Sequence, residues 1–247
     1  MSVWETYQSN RLMSCTDVDD FANIWKQEPD FPIDDVIYLD DEYDEYDAMT
    51  LFTFHCRKGN TEIVKYLVNV LGCDITIIDQ QGYTGFMWVC EEGHMDIFDF
   101  LVDKVDVDFI QIDEEDQKID KWALYVAVEN DQLDIVRKLL EHGADVNITE
   151  THGFSVMIAA SANGICKETF QLLVFYGINL NHMDKWHRTA LHHMAHHCKH
   201  QMIEMLLDMD VDTSIKDIHG QTAADIAKNK GYSDIVEMIK EHEKSRP

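Results

Sequence analysis

The residues most able to do chemistry crowd into fourteen positions: His187, His192, His193, His196, His197, Cys198 and His200. Three pairs, His192/His196, His193/His197 and His196/His200, lie four apart, the spacing that sets two imidazoles on one helical face for zinc. The signal stops short of a metalloprotease, because His192 and His196 frame Met194-Ala195 without the Glu of an HExxH motif. No carboxylate lies close in sequence to orient the imidazoles from behind. Neither a metal nor a cofactor is therefore expected, and a metal-dependent or enzymatic role for 187–200 stands only as an alternative. Below about pH 6.5 several of these rings would become cationic and repel one another. No nucleophile elbow, Gly-rich phosphate loop or paired-carboxylate motif appears elsewhere, so no catalysis is expected.

The elements that carry these residues repeat. Gly82-Tyr83-Thr84-Gly85, His187-Arg188-Thr189-Ala190 and Gly220-Gln221-Thr222-Ala223 are copies of one phrase, and the period is about 33 residues. In the clearest second half, Leu133, Ile135, Val136, Leu139 and Leu140 recur at helical spacing and form one apolar face. Gly143 then stands where a helix stops. Six copies can be laid out, at about 45–78, 79–116, 117–149, 150–183, 184–216 and 217–247. The second is about four residues longer than the others, and its surplus falls within Asp103–Asp120, which holds eight carboxylates and two Lys. An extended, self-repelling loop is expected there.

Residues 1–44 fall outside the repeat. Thr16-x-x-Asp19 reads as a helix start, followed by Phe21, Ile24 and Trp25 on one face, so a short helix covering the end of the first repeat is expected. Asp34–Asp47 carries eight acids and no basic residue, interleaved with apolar side chains. It reads either as a solvated linker or as an acidic arm for a basic partner.

Charge narrows the partner. Lys and Arg number 20 and Asp and Glu 47, giving 20 − 47 = −27 over 247 residues. Such a chain is repelled by polyanions, so nucleic acid and anionic membrane are excluded as expected partners and a protein with a basic surface is favoured. No run of 18 apolar residues could span a membrane, and the start lacks the basic-then-apolar pattern of a secretory signal. None of the six Cys forms a CxxC pair. Free thiols in a reducing compartment, cytoplasmic or also nuclear, are the expectation.

These features resemble the ankyrin-repeat family. Asp131–Asn147 is similar to the second half of an ankyrin repeat, and Thr189-Ala190-Leu191-His192 keeps three of the four types of its Thr-Pro-Leu-His segment. The resemblance covers about 200 residues. It implies an all-α ankyrin-repeat solenoid of about six helix-turn-helix repeats with an acidic N-terminal extension. It also implies a monomeric protein-binding module: an adaptor, scaffold or stoichiometric inhibitor, with a structural module of a larger assembly as another alternative. In that family His192 would bond backbone inside the stack, and partners are gripped on the concave side. The matching positions here include Tyr83, Phe154 and Trp186 as aromatic anchors. Lys185, Arg188, Glu91 and Glu92 fall at the rim, with His196 and His197 facing the groove. Asn147 and Asn181 fall in a loop segment that, in ankyrin proteins, resembles substrates of an asparaginyl hydroxylase.

Overall fold

The computed structural model describes residues 11–27, 31–38, 48–109 and 121–245. The core of the expected acidic loop (110–120) and most of the acidic run (39–47) lie outside the described residues. The chain forms two compact units, one of residues 1–113 with 121–123, the other of residues 114–120 with 124–247. No helix among the described residues is long and apolar enough to cross a membrane.

The first unit holds α1 (Val18–Gln27), β1 (Ile37–Tyr38), β2 (Ala48–Met49) and two helix pairs, α2 (Leu51–Lys58) with α3 (Thr61–Tyr66), and α4 (Gly85–Glu92) with α5 (Met95–Leu101). The start of α1 lies one residue later than Thr16 suggests. Asp17 Oδ1 accepts the amide hydrogens of Asp19 and Asp20 at 2.9 and 3.1 Å, so a carboxylate caps the helix. α1 packs on α3. Its Phe21 is fully buried and meets the ring of His55 edge-on at 5.5 Å. At the start of the acidic run Ile37 pairs with Met49 and Tyr38 with Ala48, and Asp34 Oδ1 accepts the amide hydrogen of Asp74 at 2.8 Å.

In the first unit the recurring hydroxyl is a helix cap. Thr50 Oγ1 accepts from Thr53 N–H at 3.1 Å and Thr84 Oγ1 from Met87 N–H at 3.2 Å, satisfying amides that have no partner inside the helix. Between them, α2 and α4 pack closely enough to fix a residue type. A Cβ added at Gly85 would fall 2.4 Å from Phe52, so the ring occupies the space that a methyl takes at Ala190 and Ala223.

The second unit holds four pairs: α6 (Ala123–Glu129) with α7 (Leu133–Glu141), α8 (Val156–Asn163) with α9 (Lys167–Phe175), α10 (Ala190–His196) with α11 (His200–Asp208), and α12 (Ala223–Lys230) with α13 (Ser233–Ser245). Ala123, the first residue of α6, is counted with the first unit. On α7 the apolar stripe turns Ile135, Val136, Leu139 and Leu140 inward, each side chain contributing about 2 kcal/mol by leaving water. The helix ends at Glu141 and Gly143 takes φ 89°, the left-handed turn expected of it. α10 packs on both α8 and α12.

Two sets of hydrogen bonds tie successive pairs of this unit together outside the helices. Along the turns, Lys185 N–H donates to His152 O at 2.8 Å and Ile218 N–H to Trp186 O at 3.0 Å. Along the opposite loops, Asn147 Oδ1 accepts from Asn179 N–H at 2.8 Å while its Nδ2 donates to Gly177 O at 3.1 Å. Asn181 Oδ1 repeats the rung one copy on, accepting from Asp212 N–H at 3.0 Å.

Candidate functional site

The turn before α10 is built by one carboxylate. Asp184, 2% exposed, accepts the amide hydrogens of Trp186 and Arg188 on Oδ1 at 2.8 and 2.9 Å, and His193 Nε2–H on Oδ2 at 2.8 Å. Burial alone would raise its pKa. The His193 bond and the two amides outweigh that and hold it below the usual carboxylate value. The same device recurs at Asp79, which accepts from Gln81, Tyr83 and Trp88 Nε1, and at Asp217, which accepts from His219 and Gln221. In the fourth copy Glu150 replaces it. Its extra methylene lets one oxygen reach Phe154 N–H while the other meets His152 Nδ1, both at 2.8 Å.

This scaffold displays an aromatic surface. Trp186 stacks on His152 (centroids 6.0 Å apart, planes 7° apart) and lies 5.8 Å from Phe154. Phe154 in turn meets His193 edge-on at 5.6 Å. Lys185 Nζ sits 4.4 Å above the indole and the Arg188 guanidinium 5.8 Å from it, within cation–π range. Phe154 and Trp186 are half-buried, so each keeps part of its ring open.

Beside it, α10 and α12 enclose a cavity of about 420 Å³, lined by Arg188, His193, His196, His197, Asp217 and Lys230 among others. His196 and His197 are exposed, with ring centroids 4.9 Å apart. Both imidazoles are held below their ordinary pKa of 6.5, first by partial burial and then by cations, Lys230 acting on each. Arg188 Nε is buried without a hydrogen-bond acceptor among the described residues. A locally positive hollow thus stands in a strongly acidic chain.

The histidine cluster divides by role. His192 is 2% exposed and spent on structure: Nε2 faces Gln221 O at 3.2 Å and so donates, leaving Nδ1 to accept from Thr189 N–H and Oγ1–H. Burial favours this neutral ring and lowers its pKa. Although no carboxylate lies close in sequence to these imidazoles, the turn folds Asp184, nine residues before His193, back onto its ring, so sequence distance does not exclude an orienting acid. Cys198 and His200 lie past the end of α10, away from the cavity lining. Among the described residues no group of three or more His, Cys, Asp or Glu is arranged to hold a metal ion.

Tyr83 does not match its expected place. It is 6% exposed, stacked on Trp88 at 4.6 Å, and its hydroxyl accepts from Lys121 Nζ at 2.6 Å. The ring is a core element of the first unit and leaves no face for a partner. Glu92 is exposed, 4.0 Å from Arg57 Nε, and Arg57 lies 4.2 Å over the Trp88 ring. Glu91 is half-buried beside it in the chain. The residues that sequence reasoning missed are Asp184 and Lys230. The recurrence of an acid five residues before the capping hydroxyl, at Asp79, Glu150, Asp184 and Asp217, was the signal that could have found the first.

The family model described as "Ankyrin repeats (3 copies)" matches residues 52–150 and 156–246. The chain belongs to the ankyrin-repeat family, and its fold is that family's all-α solenoid. A putative ankyrin repeat protein of Rickettsia bellii is 24% identical over 48% of this chain, one of Acanthamoeba polyphaga mimivirus 33% over 34%, and an alpha-latrotoxin of Latrodectus geometricus 30% over 47%. The matches take in 21%, 12% and 9% of those proteins, so the chain corresponds to a small part of each. Among solved structures, a chain in that of the predatory endopeptidase Bd0816 from Bdellovibrio bacteriovorus in complex with immunity protein Bd3460 is similar. It is 26% identical with a TM-score of 0.65, over 77% of this chain and 96% of that one. Stacked repeats of this kind are protein-interaction modules, and that is the class to which this chain belongs.

Proposed function

We propose that the chain works as an adaptor, scaffold or stoichiometric inhibitor that grips a protein partner on the turn-and-helix surface around Trp186. The observation that carries this reading is the open aromatic pair Phe154 and Trp186, flanked by Lys185 and Arg188 and rigidly footed on Asp184. Aromatics and Arg are the residue types that dominate interface energy. Within the first unit, Glu91 and Glu92 offer rim charges of their own. The inhibitor form draws support from the complex to which the similar solved chain belongs, one between an endopeptidase and an immunity protein.

The net charge of −27 favours a partner with a basic patch, drawn in at long range and held less tightly as salt rises. The protein acts as a monomer in the cytoplasm or nucleus, without catalysis of its own. The test is capture of partners from cell extract by the tagged chain, followed by titration of the recovered partner. Trp186→Ala and Phe154→Ala should each weaken binding at least about tenfold. Glu141→Ala, on an exposed position of α7, should change little. Equal, near-zero losses for both aromatics would overturn the assignment.

A further inference from the structure

We infer that the cavity between α10 and α12 receives a side-chain carboxylate from an acidic segment of the protein partner. The inference rests on the protein-binding reading above and adds a chemistry to it that the net charge conceals.

Two permanent cations, Arg188 and Lys230, and three imidazoles, His193, His196 and His197, face a hollow of about 420 Å³. Of the nearby acids, Asp184 spends both oxygens on two amides and His193, and Asp217 turns Oδ1 onto the amides of His219 and Gln221. Arg188 Nε lies buried with no acceptor among the described residues, and a guanidinium in that state is matched by the paired oxygens of a carboxylate. Trp186 extends from the turn that carries Arg188 and Phe154 from the turn before it, and together they give the rest of a peptide an apolar surface to lie on.

The groups that set the pH response come from every wall: Arg188 and Asp184 from the turn before α10, and His192, His193, His196 and His197 from α10. Lys199 follows α10, Asp217 comes from the next turn, and Lys230 from α12. An arriving carboxylate favours the protonated imidazoles that the cations now disfavour. Binding therefore takes up protons, and affinity rises as pH falls through the histidine range.

The test uses the full chain and an acetylated, amidated tetraglutamate peptide, followed by NMR of the histidine rings. The His196 and His197 signals should move on titration, and their protonation midpoints should rise with peptide present. Affinity should be at least about fivefold higher near pH 6 than near pH 8. The Arg188→Gln/Lys230→Gln double variant should bind at least about tenfold more weakly. Lys230→Gln alone, on an exposed side chain, should retain the fold by circular dichroism and still lose about threefold. Unmoved histidine signals, affinity that is flat or rising towards alkaline pH, or unchanged binding by the variants would overturn the inference. So would inorganic phosphate displacing the peptide at a lower concentration than the peptide itself requires. If captured partners depend on Trp186 while the peptide fails to bind, the pocket assignment falls alone. If the peptide binds while Trp186→Ala keeps its partners, the wider surface reading falls.

Discussion

Asp184 Oδ2 and His193 Nε2 stand 2.8 Å apart, tying the first residue of a turn to the middle of the helix that follows it. The carboxylate serves three donors, and the imidazole only one of them. Asp184→Ala should therefore cost about 2–3 kcal/mol in urea unfolding, and His193→Ala clearly less, since the two amides still satisfy Asp184. Equal losses would mean that the turn depends on the ring rather than on the acid. The folded pKa of Asp184 is lowered, so its contribution is present above the ordinary carboxylate value of 3.8 and fades as pH falls through the folded value. The Ala variant should lose less stability than the parent over that acid stretch.

A second acid response should arise earlier. His55 is fully buried, with Nε2 donating to Leu12 O at 3.2 Å and Nδ1 accepting from Asn60 Nδ2 at 2.9 Å. Burial lowers its pKa from 6.5 to about 4. The unfolded chain takes up the proton first, so stability is greatest above 6.5 and declines as pH falls towards 4. The decline from this one ring is about 3 kcal/mol in total. His55→Gln should flatten the slope of unfolding free energy against pH by roughly one proton. A slope unchanged in the variant would show that the ring is hydrated or protonated in the native state.

Backbone strain gives a prediction of opposite sign. His187 takes φ 57° in the place where Gly82, Gly153 and Gly220 stand in other copies. It is exposed, so His187→Gly should relieve strain without losing packing and stabilise by about 1 kcal/mol. Asp131 takes φ 51° where Gly59, Gly93 and Gly231 stand. There the side chain compensates, accepting from Cys166 N–H at 2.9 Å and Thr169 Oγ1–H at 2.7 Å at the start of α9. Asp131→Gly should not stabilise, and thermal melts of the two variants should move apart.

The charge imbalance should be visible in stability itself. With −27 on 247 residues, screening weakens self-repulsion, and the melting temperature should rise with modest NaCl. A fall under the same conditions would show that specific ion pairs outweigh the general repulsion.

Helix positions were legible because a repeat prints each local rule several times. The internal role of His192 followed from its place in the phrase. What periodicity hides is which way a turn side chain leans. Tyr83 and Trp186 occupy comparable turns, yet Trp88 lies under the first and closes it into the core, while His152 and Phe154 prop the second open. The cationic hollow was hidden for another reason. Arg188 and Lys230 are 42 residues apart, and a whole-chain charge of −27 masks any local sum.

The Asn147 and Asn181 rungs have a mechanical consequence. Each joins one loop to the next through one or two hydrogen bonds across a side chain, without a continuous strand. Tension along the second unit would load each rung together with the helix contacts of its own interface, and successive interfaces in series, so the interface with the weakest sum yields first. Asn147→Ala should thus lower the force of the first rupture in single-molecule pulling while leaving later ones in place. The loop edge would behave as a row of separate fasteners, opening one at a time.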